Sequence, residues 1–275
     1  MQKNPVTELK RFRLDGNLAL VTGALGNLGS VWIRGLLEAG AEVVGVDVER
    51  AKISDSFQEL LDKYSGKLSL LRIDVTNRNS VVKGFKESKK IGFTSIIVNN
   101  AGIDQPPTAP KKGYLLEEIP IEAGQKIFDV NVLGAFLVMQ IFGSEMVKKN
   151  QGTIINIASH YGLVSPDPGF YTHIKTDPPF LKPPMYGSSK AALIQLTRYM
   201  AVLWGKNNVR VNSISPGGVF NNQDVRFVKK YSLRVPLGRM AKADELIGPL
   251  VFLASDAASY VTGANIVVDG GFTAL

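Results

Sequence analysis

Tyr186 and Lys190 stand four residues apart in Tyr-Gly-Ser-Ser-Lys. On a helix this spacing puts both side chains on one face. A phenol has an ordinary pKa of about 10, too high for an efficient base near neutral pH. A neighbouring ammonium favours the phenolate and draws that value down. The pair therefore predicts proton transfer to or from a reacting oxygen. Ser159 follows Ile-Ile-Asn-Ile-Ala and supplies a hydroxyl that would hydrogen-bond the same oxygen as charge develops on it.

A second match to the tyrosine–lysine spacing, Tyr171 to Lys175, lies upstream. The choice falls on Tyr186. Lys190 is followed by Ala191, Ala192, Leu193, Leu196, Met200 and Leu203, a sustained helical apolar face. Lys175 is followed by Thr-Asp-Pro-Pro, and prolines at 178 and 179 stop a helix there. The bland alternative for each chosen residue is structural: Tyr186 a buried core tyrosine, Ser159 a strand-end cap.

The glycines of Thr22-Gly-Ala-Leu-Gly-Asn-Leu-Gly29 sit between an apolar run and an amphipathic one. Such a turn lets the backbone approach a pyrophosphate, and the helix start adds N–H groups and partial positive charge. Asp47 ends the second apolar run, 18 residues beyond Gly29. A carboxylate there accepts from adenosine ribose hydroxyls and repels a 2′-phosphate, which favours NAD(H) over NADP(H). Arg50 lies close by and works against that discrimination. Asp74 and Val75 end the third run, on the adenine side.

The elements that must position these groups alternate. Strands are expected at 17–22, 42–48, 68–74, 95–98, 153–157, 209–214 and 265–268. Helices are expected at 28–39, 54–64, 80–89, 122–149, 186–204 and 243–254. Strands apolar throughout, alternating with amphipathic helices, predict a doubly wound α/β fold with a parallel sheet covered on both faces. No repeat or linker divides the chain, so one domain over 1–275 is expected. Residues 160–185 break the rhythm with six of the chain's 14 prolines and both of its histidines, His160 and His173. A loop this long in a compact domain is usually functional.

Composition narrows the field. Lys and Arg number 32 against 24 Asp and Glu, a net charge of +8, which suits a solvated basic surface or an anionic substrate. No Lys/Arg block interleaved with aromatics points to nucleic acid. There is no cysteine, hence no thiolate chemistry, and two histidines without spaced carboxylates make no metal site. Met1 to Arg13 is polar and basic, with Lys3, Lys10, Arg11 and Arg13, unlike a signal peptide. No run approaches the ~18 apolar residues of a membrane helix. A cytoplasmic protein off the membrane is expected.

Six motifs in order carry a resemblance to the short-chain dehydrogenase/reductase family. They are the turn at 22–29, Asn99-Asn100-Ala101-Gly102, Asn131 within Asp129-Val-Asn-Val-Leu-Gly, Ser159, Tyr186-Gly-Ser-Ser-Lys190 and Pro216-Gly217. The resemblance spans about 14–272. It implies a Rossmann-type sheet of about seven strands and hydride transfer between a nicotinamide and an alcohol or ketone carbon. It implies cofactor contacts at Gly23, Asn27, Leu28, Gly29, Asp47, Asp74, Val75, Asn100, Ala101, Gly102, Pro216, Gly217 and Val219. Tyr186 and Lys190 join them, with Lys190 on the nicotinamide ribose. Asn131 would hold a water joining the lysine to solvent. Homodimers or homotetramers would pack through the helices near 122–149 and 186–204. In two places the chain departs from the family. Asn27 replaces the turn's second glycine, a site where asparagine tolerates a left-handed backbone. The threonine that often follows Pro-Gly is replaced near Asn221.

The overall pattern looks most similar to sugar, polyol and sugar-acid dehydrogenases of the gluconate type, with nucleotide-sugar oxidoreductases close behind. The insertion leaves the fifth strand on the ligand side, so His160, His173, Lys175 and Lys182 are expected to add cationic substrate contacts. Residues 219–235 are expected to close as a lid, with Arg226, Lys229, Lys230 and Arg234 meeting an anionic group. Two other readings compete: a non-catalytic dinucleotide-sensing module, and a sugar epimerase or dehydratase with tightly bound NAD.

Overall fold

Buried strands and amphipathic helices alternate along the chain as its pattern predicts. The computed structural model describes residues 9–104 and 113–275; Lys3 and its neighbours in the basic start lie outside them. The strands are β1 (Leu18–Thr22), β2 (Glu42–Asp47), β3 (Leu68–Arg72), β4 (Thr94–Asn99), β5 (Gly152–Ile157), β6 (Val209–Pro216) and β7 (Asn265–Val268). They form one sheet in the order β3-β2-β1-β4-β5-β6-β7. Every neighbouring pair is parallel. β1 and β4 are buried at every residue, because helices cover both faces.

The helices are α1 (Gly29–Ala39), α2 (Asp55–Lys63), α3 (Arg78–Ile91), α4 (Ile121–Lys149), α5 (Pro184–Trp204), α6 (Val225–Ser232) and α7 (Ile247–Ala254). On one face Trp32, Ile33 and Leu36 of α1 meet Leu250 and Leu253 of α7. On the other, Val138, Met139, Phe142 and Met146 of α4 meet Met200 and Trp204 of α5. Each fully buried side chain of this size contributes about 1.5–3 kcal/mol. α1 stops at Gly40, whose left-handed φ of 111° lets its N–H reach the carbonyls of Leu36 and Leu37.

Three sequence expectations shift. α5 starts at Pro184, ahead of Tyr186, because a proline lacking N–H costs nothing in a first helical turn. β3 ends at Arg72, since Asp74 Oδ1 accepts from the Thr76 amide and hydroxyl and draws the chain into a turn. α4 is long and apolar enough to cross a membrane by length and composition, although no such run was expected. Its apolar side is instead spent on the sheet. α4 also widens into π-turns at Asp129–Gly134 and Met139–Gly143.

The insertion between β5 and α5 carries two short 3₁₀ turns, His160–Gly162 and Pro168–Tyr171. Its Phe170, Tyr171 and Phe180 pack with Phe227 and Tyr231 of α6 and with Phe272 in a third apolar cluster. Insertion and α6 therefore form one cap above the ends of β5 and β6. Tyr171 belongs to this cluster and shares no helix with Lys175, which is why the second tyrosine–lysine match is not a working pair.

Candidate active site

A cavity of about 850 Å³ runs across the carboxyl ends of the strands from β2 to β6. It straddles the point between β1 and β4 where strand order reverses, the usual ligand crevice of such sheets. Among the cofactor-side candidates, all but Gly29 line it, as do Ser159, Tyr186 and Lys190. Asn131, His160, His173 and Lys175 do not.

The glycine turn is held from below. Thr22 Oγ1 accepts from the amides of Asn100 and Ala101, each at 3.0 Å. Asn100 Nδ2 donates to the carbonyls of Thr22 and Gly23, and Trp32 Nε1 donates to Asn100 Oδ1 at 2.8 Å. The Asn100 side chain thus braces the turn. Gly23 has φ 65°, and a Cβ there would stand 2.8 Å from Ala101 Cα. Gly29 lies behind the turn, where a Cβ would be 2.3 Å from the Ala24 carbonyl oxygen. It permits α1 to pack on the turn and does not face the cavity. Asn27 lines the cavity without a left-handed backbone, so its tolerance for that conformation is not called on.

Asp47 Oδ2 accepts from the Leu25 amide at 2.9 Å and Oδ1 from the Val48 amide at 2.8 Å. The carboxylate is thereby fixed at the end of β2, beside the turn. The donors of the turn, the cradle only glycine allows and the carboxylate at the ribose position all fit a dinucleotide.

At the other end, α5 presents Tyr186 and Lys190 from one face toward the end of β5. Lys190 is buried, and its Nζ donates to the Ile157 carbonyl at 2.8 Å. The Tyr186 ring centre is 5.9 Å from that nitrogen. Ser159 Oγ accepts from the Tyr161 amide at 3.1 Å. Burial pushes the Tyr186 phenol above its ordinary value; Asp104 adds to the push and the Ser159 bond opposes it. Burial lowers Lys190 to about 8, against a smaller upward pull from Asp104. The lysine was expected to bring the phenol down; burial of the phenol instead raises it.

Asn131 sits in the first π-turn, fully buried. Its Oδ1 accepts from the Ile103 amide at 2.8 Å, and its Nδ2 donates to the Ile103 carbonyl and to Ser189 Oγ. Ser189 in turn donates to the Tyr186 carbonyl at 2.7 Å. The side chain ties three elements together behind Tyr186 and Lys190.

Three of the residues expected to meet substrate, His160, His173 and Lys175, stand outside the cavity lining. His160 is 4% exposed, with Nδ1–H donating to the Pro216 carbonyl at 3.0 Å. That tautomer leaves Nε2 to accept from the Tyr231 hydroxyl at 3.2 Å, while the same hydroxyl oxygen accepts from the Gly218 amide at 2.6 Å. Burial brings His160 down to about 4, so it is neutral. His173 bonds the Phe170 carbonyl at 3.1 Å, and Lys175 is exposed outside the cavity. Arg226 pairs with Asp224, and Arg234 with Asp167 at 3.8 Å. Lys230 reaches the Gly169 carbonyl and Thr172. Lid and insertion charges fasten the cap to itself.

Sequence reasoning passed over Asp104, which lines the cavity two residues past Gly102. Its signal was an acid placed directly after a cofactor motif. Among the described residues no group of three or more His, Asp or Glu could hold a metal ion.

Comparison with known proteins agrees with this arrangement. The family model for short chain dehydrogenase matches residues 17–227. The D-arabinitol 2-dehydrogenase (ribulose-forming) of Candida albicans is 32% identical, over 95% of this chain and 94% of that protein. The 2-dehydro-3-deoxy-D-gluconate 5-dehydrogenase of Pseudoalteromonas atlantica is 34% identical, over 96% and 98%. A gluconate 5-dehydrogenase structure from Burkholderia cenocepacia, in complex with NADP and tartrate, superposes with a TM-score of 0.83 at 30% identity, over 97% and 99%. The chain belongs to the short-chain dehydrogenase family, oxidoreductases acting on CH–OH groups.

Proposed function

We propose that this oxidoreductase uses NAD(H) to interconvert a secondary alcohol and a ketone on a sugar, a polyol or a sugar acid. The observation that carries the reading is the meeting of Ser159, Tyr186 and Lys190 in a cavity whose far end holds Asp47. When bound, the nicotinamide takes or returns the hydride. The protein's own groups handle the proton. In reduction, Tyr186 gives its phenolic proton to the carbonyl oxygen, which the Ser159 hydroxyl steadies as negative charge develops. In oxidation the substrate hydroxyl proton passes to Tyr186. Lys190 keeps a positive charge near both, anchored by Ile157.

Asp47 supports NAD(H): a 2′-phosphate would meet its charge. The Burkholderia relative holds NADP, so this preference needs its own test. Fluorescence titration should give a lower Kd for NADH than for NADPH, and Asp47→Ala should narrow the gap about tenfold or more, near 1.4 kcal/mol. Equal affinities in the parent protein would contradict it.

The rest of the reading follows the same lines. One domain spans the chain, with 160–185 as a substrate-side insertion and 219–235 as a lid. Leu133 and Phe136 on α4, with Val202 and Leu203 on α5, are exposed and support a homodimer or homotetramer through these helices. A cytoplasmic place goes with a freely exchanging nicotinamide cofactor. A non-catalytic dinucleotide sensor has no use for the Ser159–Tyr186–Lys190 set, and an epimerase or dehydratase with tightly bound NAD is not favoured by the dehydrogenase relatives.

A further inference from the structure

Asp104 follows the Asn100-Ala101-Gly102 segment at the end of β4 and lines the cavity together with Ser159, Tyr186 and Lys190. It forms an ion pair with Lys182 of the insertion. The Lys182 side chain is only 7% exposed, against 29% for Asp104. Lys182 Nζ also stands 5.1 Å from the centre of the Tyr186 ring. The proline-rich insertion thus delivers a buried cation beside the proton-transferring tyrosine, and that cation fixes an acid at the cavity wall.

We infer that Asp104, held by Lys182, selects the substrate: it accepts hydrogen bonds from hydroxyl groups of a neutral polyol or ketose and turns away a sugar acid. This rests on the oxidoreductase reading above and narrows it. Two observations carry it beyond the ion pair. First, the described wall of the cavity carries no excess of positive charge, even with Lys182 counted beside Tyr186. Among the described residues lining it, Asp47, Asp74, Asp104 and Asp129 outnumber Arg50, Lys126 and Lys190. Arg226, Arg234 and Lys230 of the lid are engaged by Asp224, Asp167, Gly169 and Thr172. Second, the negative charge of Asp104 reaches the reaction centre, since it raises the phenols of Tyr161, Tyr171 and Tyr186 and supports the charge on Lys190.

The same field acts on a ligand. A substrate carboxylate beside Asp104 meets like charge in a partly desolvated wall, which disfavours it. A hydroxyl meets a charge-assisted acceptor. A carboxylate offers about four lone-pair sites and can accept from several donors at once. Lys182 acts through Asp104: it is a positioning residue that holds the carboxylate at the cavity wall. A wall group of this kind also discriminates by chain length and hydroxyl configuration, because only some hydroxyls reach it while the reacting carbon sits at Tyr186.

The test compares pentitols, hexitols and their 2-ketoses with aldonates of matched chain length, using the intact protein and saturating NAD+ or NADH. The expected result is a kcat/KM at least tenfold higher for one neutral compound than for its matched aldonate. Asp104→Asn should lower the neutral compound's kcat/KM tenfold or more, mainly through KM, and leave the aldonate's unchanged or higher, with the NADH Kd unmoved. Lys182→Met should also lower the neutral compound's kcat/KM, mainly through KM, and Lys182→Arg should restore most of the loss, a rescue that a merely structural role would not give with kcat unmoved. Preference of the parent protein for the aldonate would overturn the inference and leave the oxidoreductase reading standing. An equal loss for both substrate classes in Asp104→Asn would do the same. Turnover of neither class would overturn both.

Discussion

Lys190 donates from Nζ to the main-chain carbonyl of Ile157 at 2.8 Å, joining the middle of α5 to the last residue of β5. The bond sets where the helix stands along the sheet. Tyr186, one turn earlier on α5, is thereby carried to Ser159, two residues beyond β5.

This geometry gives a pH dependence with a definite sign. Burial lowers Lys190 to about 8. Reduction of the ketone needs the phenol protonated and the lysine charged. Its kcat/KM should hold through neutral pH and fall as pH rises through about 8. Asp104 pulls Lys190 upward, so Asp104→Asn should move that limb to lower pH. Steady-state profiles at saturating cofactor check this; a limb that stays in place would show that Lys190 does not set it.

The chain His160–Tyr231–Gly218 predicts an effect on stability. Tyr231→Phe removes the acceptor of the Gly218 amide and the donor to His160 Nε2. Loss of such buried bonds costs about 1–3 kcal/mol. For a domain of this size that lowers Tm by several degrees, at about 2–4 °C per kcal/mol. His160 adds a pH term. Its folded value of about 4 lies below the ordinary 6.5, so between them the unfolded chain binds the extra proton. Stability should therefore rise with pH across that window and be lost as pH falls through it. Thermal melts from acid to neutral pH, with His160→Gln expected to flatten the rise, measure both.

Gly29 and Gly205 separate space from propensity. Gly29→Ala places a Cβ 2.3 Å from a backbone oxygen, so α1 or the turn must shift. The expected cost is about 1–3 kcal/mol with weakened NADH binding. Gly205→Ala meets nothing within 4 Å and should change stability by about 0.5 kcal/mol at most. Paired melts and cofactor titrations read the difference; comparable losses in both would contradict the packing account.

The fold and the placing of Ser159, Tyr186 and Lys190 in one cavity were legible because their signals are local. Apolar runs of strand length gave all seven strands to within two residues, and prolines at 178 and 179 told Tyr186 from Tyr171. What the sequence hid depends on contacts far along the chain. His160 reads as a polar loop residue, yet Tyr231, 71 residues away, closes over it and removes its charge. Lys182 reads as a free cation until Asp104, 78 residues upstream, is brought against it. The partners of the Asn131 amide, Ile103 and Ser189, 28 and 58 residues away, were equally out of reach of a local pattern. Burial likewise reversed the expected drop in the Tyr186 phenol, because no sequence window records how completely a helix face will be desolvated.

The central claim is tested most directly by Tyr186→Phe, which removes one oxygen and keeps the ring. Absorbance of the reduced nicotinamide follows turnover, and fluorescence of bound NADH follows the cofactor. The account predicts a fall in kcat of about 10³-fold with the NADH Kd unchanged, within the range expected for loss of a proton-transferring group. Turnover preserved in the variant would show that the proton travels by another route and would contradict the assignment.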